Sequence, residues 1–337
     1  MTRADRFVLD ERPFDVWGIR VASATSDQAQ TDHLIAQLDE YRAHGVNTVT
    51  VFYMGSSGAQ YRPFSSDGRT VDAGHQDRME QIIRAADARS MVVVVGLFYQ
   101  GGRLGLRDAD AVRAATRTAT EALRPYRNVI IDVANEQNAD TWADDADIFD
   151  MRDPARIVEL ARVVDEEDPE RIVGGGGYDH DNNEIIGTSQ HVDALLFDST
   201  GGEDSGRLAD RFVAAGVRDK PMVSVEVFGG WTREFTGGIF PDDAKAAYRS
   251  EITAGLRPEL GVVFHASPWT QGDTMRYHLG GAGTKEDPGI RWYFEAVRDA
   301  VHRHSAPGGA EDGPVAPADP SAQAGCAAAG ARVIPTG

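Results

Sequence analysis

One cysteine is all the chain contains, and it stands at Cys326 among small residues. Neither a disulfide framework nor a thiolate metal site can form within a single chain. Long apolar runs are also missing. The longest, Met91 to Val95 with Leu97 and Phe98 beyond Gly96, is far too short to span a bilayer. No apolar segment follows the charges of Met1 to Arg6. We therefore expect no signal peptide and a cytoplasmic protein, although a cleaved secreted form would look the same. Lysine is scarce: only Lys220, Lys245 and Lys285 among 34 basic residues. Against 53 acidic residues this leaves a net charge of −19, which opposes nucleic acid and anionic membrane as partners.

What remains is ordinary globular composition, 337 residues of which 41% are hydrophobic, enough to bury a large core. Eight apolar, β-branched runs read as strands at about 14–22, 46–53, 91–97, 128–133, 171–174, 192–197, 222–225 and 261–265. Helical periodicity falls between them, at 31–44, 76–89, 108–123, 154–165, 183–189, 208–215, 241–254 (with Pro in its first turn) and 289–301. Several strands are apolar throughout, as when both faces are covered. Eight such units in about 300 residues predict a single (β/α)8 barrel over 1–304, entered through residues 1–13. From 305 to 337 the Ala, Gly and Pro content predicts a disordered tail.

Barrel enzymes place chemistry at the C-terminal ends of their strands. Two strands there end in a glutamate: the run Asn128 to Val133 leads through Ala134 and Asn135 to Glu136, and Met222 to Val225 leads to Glu226. A carboxylate directly after a buried strand is costly unless it is paired, hydrogen-bonded or used. Around them fall Arg20, Tyr53, Tyr99, Gln100, Tyr178, Asp179, His180, Asp198, Phe228, His265, Ser267 and Trp269. Two carboxyl groups among amides and aromatic rings suit a sugar cleft, where rings pack on C–H faces and two carboxyls serve glycoside cleavage.

Asn135-Glu136 after strand four and Glu226 after strand seven resemble the large clan of retaining (β/α)8 glycoside hydrolases that includes the cellulase and β-mannanase families. The resemblance implies Glu136 as acid/base, Glu226 as nucleophile, Asn135 as ligand of the sugar 2-hydroxyl and Trp269 as the aromatic after strand eight. With Tyr53, Tyr99, Tyr178, Phe228 and His265 as further sugar contacts, it implies hydrolysis of an oligosaccharide or polysaccharide with no cofactor and no metal. The chain departs from the clan twice. The usual arginine after strand two is replaced by Tyr53, and the usual His or Tyr after strand six by Asp198-Ser199-Thr200. Tyr53, Tyr178 and Arg20 are the candidates to orient the nucleophile instead.

Two other readings stay open. One is a carbohydrate-binding barrel without catalysis. The other is a metal-dependent hydrolase using Asp179, His180, Asp181 and His265, although no second histidine of matching spacing joins that loop. The glycines at 174–177 lack the spacing of a phosphate cradle and are expected to let the backbone turn tightly beneath the cleft. Lys220 precedes a strand, so it is expected at the barrel bottom, away from any Schiff-base chemistry.

Overall fold

The computed structural model describes residues 2–3, 5–56, 59–100, 103–199, 203–230, 237–266, 269–270 and 275–305. Eight strands among them, all parallel, close into a barrel in chain order. They are β1 (Trp17–Arg20), β2 (Thr48–Phe52), β3 (Val92–Phe98), β4 (Val129–Ala134), β5 (Ile172–Gly175), β6 (Ala194–Asp198), β7 (Met222–Glu226) and β8 (Leu260–Phe264). Pairing of Val262, Val263 and Phe264 with Trp17, Gly18 and Ile19 closes the ring. A helix follows each strand: α1 (Gln28–Ala43), α2 (Ala73–Asp87), α3 (Ala109–Leu123), α4 (Pro154–Glu167), α5 (His180–Thr188), α6 (Ser205–Ala215), α7 (Asp242–Ala254) and α8 (Arg291–Ser305). This is the (β/α)8 barrel the periodicity predicts. Ser305 still belongs to α8; the rest of the expected tail, 306–337, lies outside the described residues.

The strands are apolar on both faces because both are covered. The outer face meets the helices, and inside Val94, Ile130, Leu196, Val223, Val225 and Val263 form one cluster. Gly18 leaves space for Val263, whose Cγ2 would lie 2.7 Å from a Cβ there. The expected entry segment is itself folded into three short antiparallel strands, Thr2–Arg3, Arg6–Leu9 and Arg12–Phe14. Phe7 of the middle strand is buried and joins the interior cluster, so this sheet stoppers the N-terminal end of the barrel. Phe14 pairs with Phe7 there, which is why β1 starts at Trp17 and not at 14.

Six helices start at an aspartate. Asp27, Asp72, Asp108, Asp153, Asp179 and Asp204 each accept a backbone N–H from two or three residues on. The Asp179 cap moves the start of α5 to His180, ahead of the expected 183. Pro241 is the residue before α7 and not part of its first turn. Gly289 lies outside α8, at φ +154°. Since the helices run back down the barrel, their capped ends and the strand ends that carry Glu136 and Glu226 share one rim.

Candidate active site

Glu226 ends β7 and is 2% exposed. Its Oε1 lies 2.7 Å from Nη2 of Arg20, at the end of β1. Its Oε2 lies 3.3 Å from Nδ1 of His265, the first residue after β8. Arg20 is fully buried, yet its guanidinium stacks 4.9 Å from the Phe52 ring and 6.0 Å from Tyr99. Phe52 fits there because Gly96 on β3 has no Cβ; one would overlap the ring. Burial pushes the Glu226 carboxyl up, but the Arg20 charge, and after it His265, outweigh burial and hold it below the usual glutamate range. Burial holds His265 below the ordinary histidine range, so a neutral imidazole faces an ionised carboxylate.

Glu136 follows Asn135 just past β4 and is partly exposed. Its backbone is left-handed, with φ +41°, a region that costs energy for a residue with a side chain. Several contacts hold it there. Trp142, fully buried in the short helical turn Asp140–Asp145, donates its Nε1–H to the carbonyls of Asn135 (3.2 Å) and Glu136 (3.1 Å). The Gln137 N–H donates to the Gly176 carbonyl at 3.0 Å. This contact corrects the expectation for the glycines at 174–177. Gly174 and Gly175 lie in β5, Gly176 and Gly177 continue beyond it without a turn, and none has a positive φ; they give clearance. A Cβ on Gly177 would strike Asn138 Oδ1 and sit 3.2 Å from the Glu136 carbonyl carbon.

Burial, and after it the Glu226 charge, push the Glu136 carboxyl up to about 8, against the pull of Arg20. One glutamate is therefore ionised and the other protonated near neutral pH, the division that acid and nucleophile roles require.

A chain of side chains joins them. Arg20 Nη2 donates to Asn135 Oδ1 at 2.6 Å, Asn135 Nδ2 donates to Gln100 Oε1 at 2.7 Å, and Gln100 Nε2 donates to Glu136 Oε2. Arg20, one of the three candidates to orient Glu226, is the one that contacts it. Gln100, at the strand-end rim in the sequence, had no role assigned there. Two further acids join the site: Asp198, which the sequence places at the strand-end rim without a role, and Asp132, which it does not single out. Asp198 sits beside Glu226 as its register partner, where Val225 is the extra residue of a bulge in β7. It is buried, and burial followed by the Glu226 and Glu136 charges push it far above the usual aspartate range. Asp132, inside β4, is pushed to about 7 by burial. Its signal was visible: one charged residue in an otherwise apolar strand.

Other expected contacts lie as follows. Tyr99 packs edge-on against Phe52 beside Arg20. Tyr178 is exposed at the rim, and burial, then the charge of Glu136, raise its hydroxyl to about 12. Phe228 is partly buried at φ +65°, its N–H donating to Ser199 Oγ at 2.9 Å. Two expected sugar platforms are covered. Tyr53 is wholly buried beneath α2, against Phe64 and His75, with its hydroxyl on Gln76. Trp269 is 1% exposed, has Arg276 over its ring at 4.6 Å and donates to the His278 carbonyl. Asp179 is the α5 cap, and His180 Nδ1 lies 3.2 Å from Asn183 Nδ2. Lys220 donates to the carbonyls of Ser189 and Val192. Ser267 lies outside the described residues.

The sequence matches no family model and no curated protein. Solved structures do match. A glycoside hydrolase family 5 protein from Bacteroides vulgatus shares 14% identity at a TM-score of 0.60, over 89% of this chain and 69% of that one. The endo-1,4-beta-mannanase of Eisenia fetida shares 14% at 0.60, over 87% and 93%. The endo-1,4-beta-mannanase of Rhizomucor miehei shares 14% at 0.57, over 78% and 89%. What this chain has in common with such structures, at these identities, is the barrel fold.

Proposed function

We propose that the protein is a retaining O-glycoside hydrolase. Glu226, ionised against Arg20, attacks the anomeric carbon while protonated Glu136 passes its proton to the leaving oxygen. Water, deprotonated by Glu136, then releases the sugar from Glu226. The observation that carries this reading is the opposite displacement of two strand-end carboxyls in one site, Glu226 downward and Glu136 up to about 8. The Arg20 contact to Glu226 also removes the motive for a binding-only barrel, since a cation for the nucleophile is supplied from β1 instead of β2. Several barrels of similar fold are β-1,4-mannanases, so β-1,4-linked mannose chains are the first substrates to test.

The test is chemical rescue. Glu136→Ala should lose on the order of 10²- to 10⁴-fold on an unactivated glycoside, form the glycosyl-enzyme from a dinitrophenyl glycoside, and turn over with azide to a glycosyl azide of retained configuration. Glu226→Ala should gain nothing from the better leaving group, and azide should give only the inverted product. Equal losses on both substrates with no rescue of either variant would sink the assignment. An inverted wild-type product would sink retention.

A further inference from the structure

The hydrogen-bond chain from Arg20 to Glu136 has a direction, and its direction is dictated at one end. A guanidinium has donors and no acceptor. Arg20 can therefore meet only the oxygen of the Asn135 amide, which turns Nδ2 toward Gln100. Asn135 Nδ2 must meet an acceptor, so Gln100 presents its oxygen there and its Nε2 to Glu136. Neither amide can be flipped without setting donor against donor. At the far end, an N–H points at Oε2 of Glu136. A carboxylic acid carries its proton on one oxygen only, and the oxygen that bears it is the poorer acceptor.

Resting on the proposed function, we infer that Gln100 is a positioning residue that confines the transferable proton of Glu136 to Oε1. Among the described residues, Oε1 receives no hydrogen bond. The step then runs in one sense. The Oε1–H bond breaks as its proton passes to the glycosidic oxygen, and the electron pair of the anomeric C–O bond leaves with that oxygen. Glu226 supplies the pair for the new bond. Gln100 is 8% exposed and stands two residues beyond β3, so its amide is held while the second N–H of Asn135 Nδ2 stays available to a sugar hydroxyl. After the proton has gone, the same Gln100 N–H stabilises the ionised Glu136 that must act as base, because a donor favours the charged form of a carboxyl.

Gln100→Glu tests polarity at constant shape: it replaces the donor facing Oε2 with an oxygen, and filling space would be unaffected. Gln100→Leu removes the donor without adding a charge and serves if the first variant does not fold. The readouts are kcat/KM on phenyl and dinitrophenyl mannosides, and a carbon NMR titration of the Glu136 side-chain carboxyl. The expected result is a loss of about tenfold or more on the phenyl substrate, little change on the dinitrophenyl substrate, and a Glu136 titration displaced upward in Gln100→Leu. An unmoved Glu136 titration, or equal losses on both substrates, would overturn the inference. If wild type cleaves neither mannoside, the function proposed above is in question for these sugars. The titration needs no substrate and still decides the role of Gln100.

Discussion

Arg20 Nη2 reaches Glu226 Oε1 at 2.7 Å across the intervening strand β8, with both side chains almost wholly buried. Removing the cation would strand an ionised carboxylate in the barrel mouth. Arg20→Met should destabilise the protein by about 3–5 kcal/mol, the usual cost of breaking a buried pair from one side, and raise the Glu226 titration. Arg20→Lys should recover only part of this, since an ammonium keeps the charge but loses the planar stack of the guanidinium on Phe52 and Tyr99. Denaturant unfolding checks the first expectation. An Arg20→Met protein as stable as wild type, with an unmoved Glu226 titration, would show that Arg20 does not hold Glu226 ionised.

The pH dependence of stability has a definite sign at Glu136. Its carboxyl is raised from 4.5 to about 8, so the fold holds this proton more tightly than the unfolded chain does. The stabilisation is complete below 4.5 and is lost as pH climbs through about 8. Glu136→Gln cannot ionise. Its stability relative to wild type should rise across that window and level off above it, as read from melting temperatures at several pH values. In wild type, kcat/KM on an unactivated glycoside should fall on the alkaline side of about 8.

Asp198 is buried, its Oδ2 has no hydrogen-bond partner among the described residues, and its titration lies far above the usual aspartate range. It is therefore a neutral acid at neutral pH. Asp198→Asn, of the same shape and charge, should change stability by less than about 1 kcal/mol and leave the net charge of the site unaltered. A large downward move of the Glu136 titration in this variant would show that Asp198 carried a negative charge.

Trp142 holds two carbonyls at the left-handed Glu136 turn. Trp142→Phe keeps most of the ring and removes the N–H, at a cost of about 1–3 kcal/mol for the groups left unsatisfied. Activity should fall further than stability implies, on the order of 10- to 100-fold, because displacement of the acid is costly. Steady-state kinetics on folded protein checks this.

The barrel and its two glutamates were legible because each rests on a local pattern: an apolar run that stops at a carboxylate. What lay beyond local pattern was misread or missed. Strand two ends at Phe52 and Tyr53 follows it, two adjacent aromatics, and adjacent residues along an extended chain face opposite ways. Phe52 turns inward beneath Arg20 while Tyr53 turns outward beneath α2. Either choice reads alike in the sequence. The bulge that brings Asp198 level with Glu226 leaves no mark in a run such as Met-Val-Ser-Val-Glu. The burial of Trp269 depends on Gly238, Gly280 and Arg276 closing around its ring, and no periodicity foretells that.

The stopper at Phe7 gives the barrel only one wet end. Below Asp132 lie Ile130, Val94, Leu196 and Val263, all at most 3% exposed, with Phe7 beyond them. Hydrogen ions reach Asp132, Asp198 and Glu136 by the mouth alone. A ligand seated in that mouth therefore closes the exchange route along with the cleft.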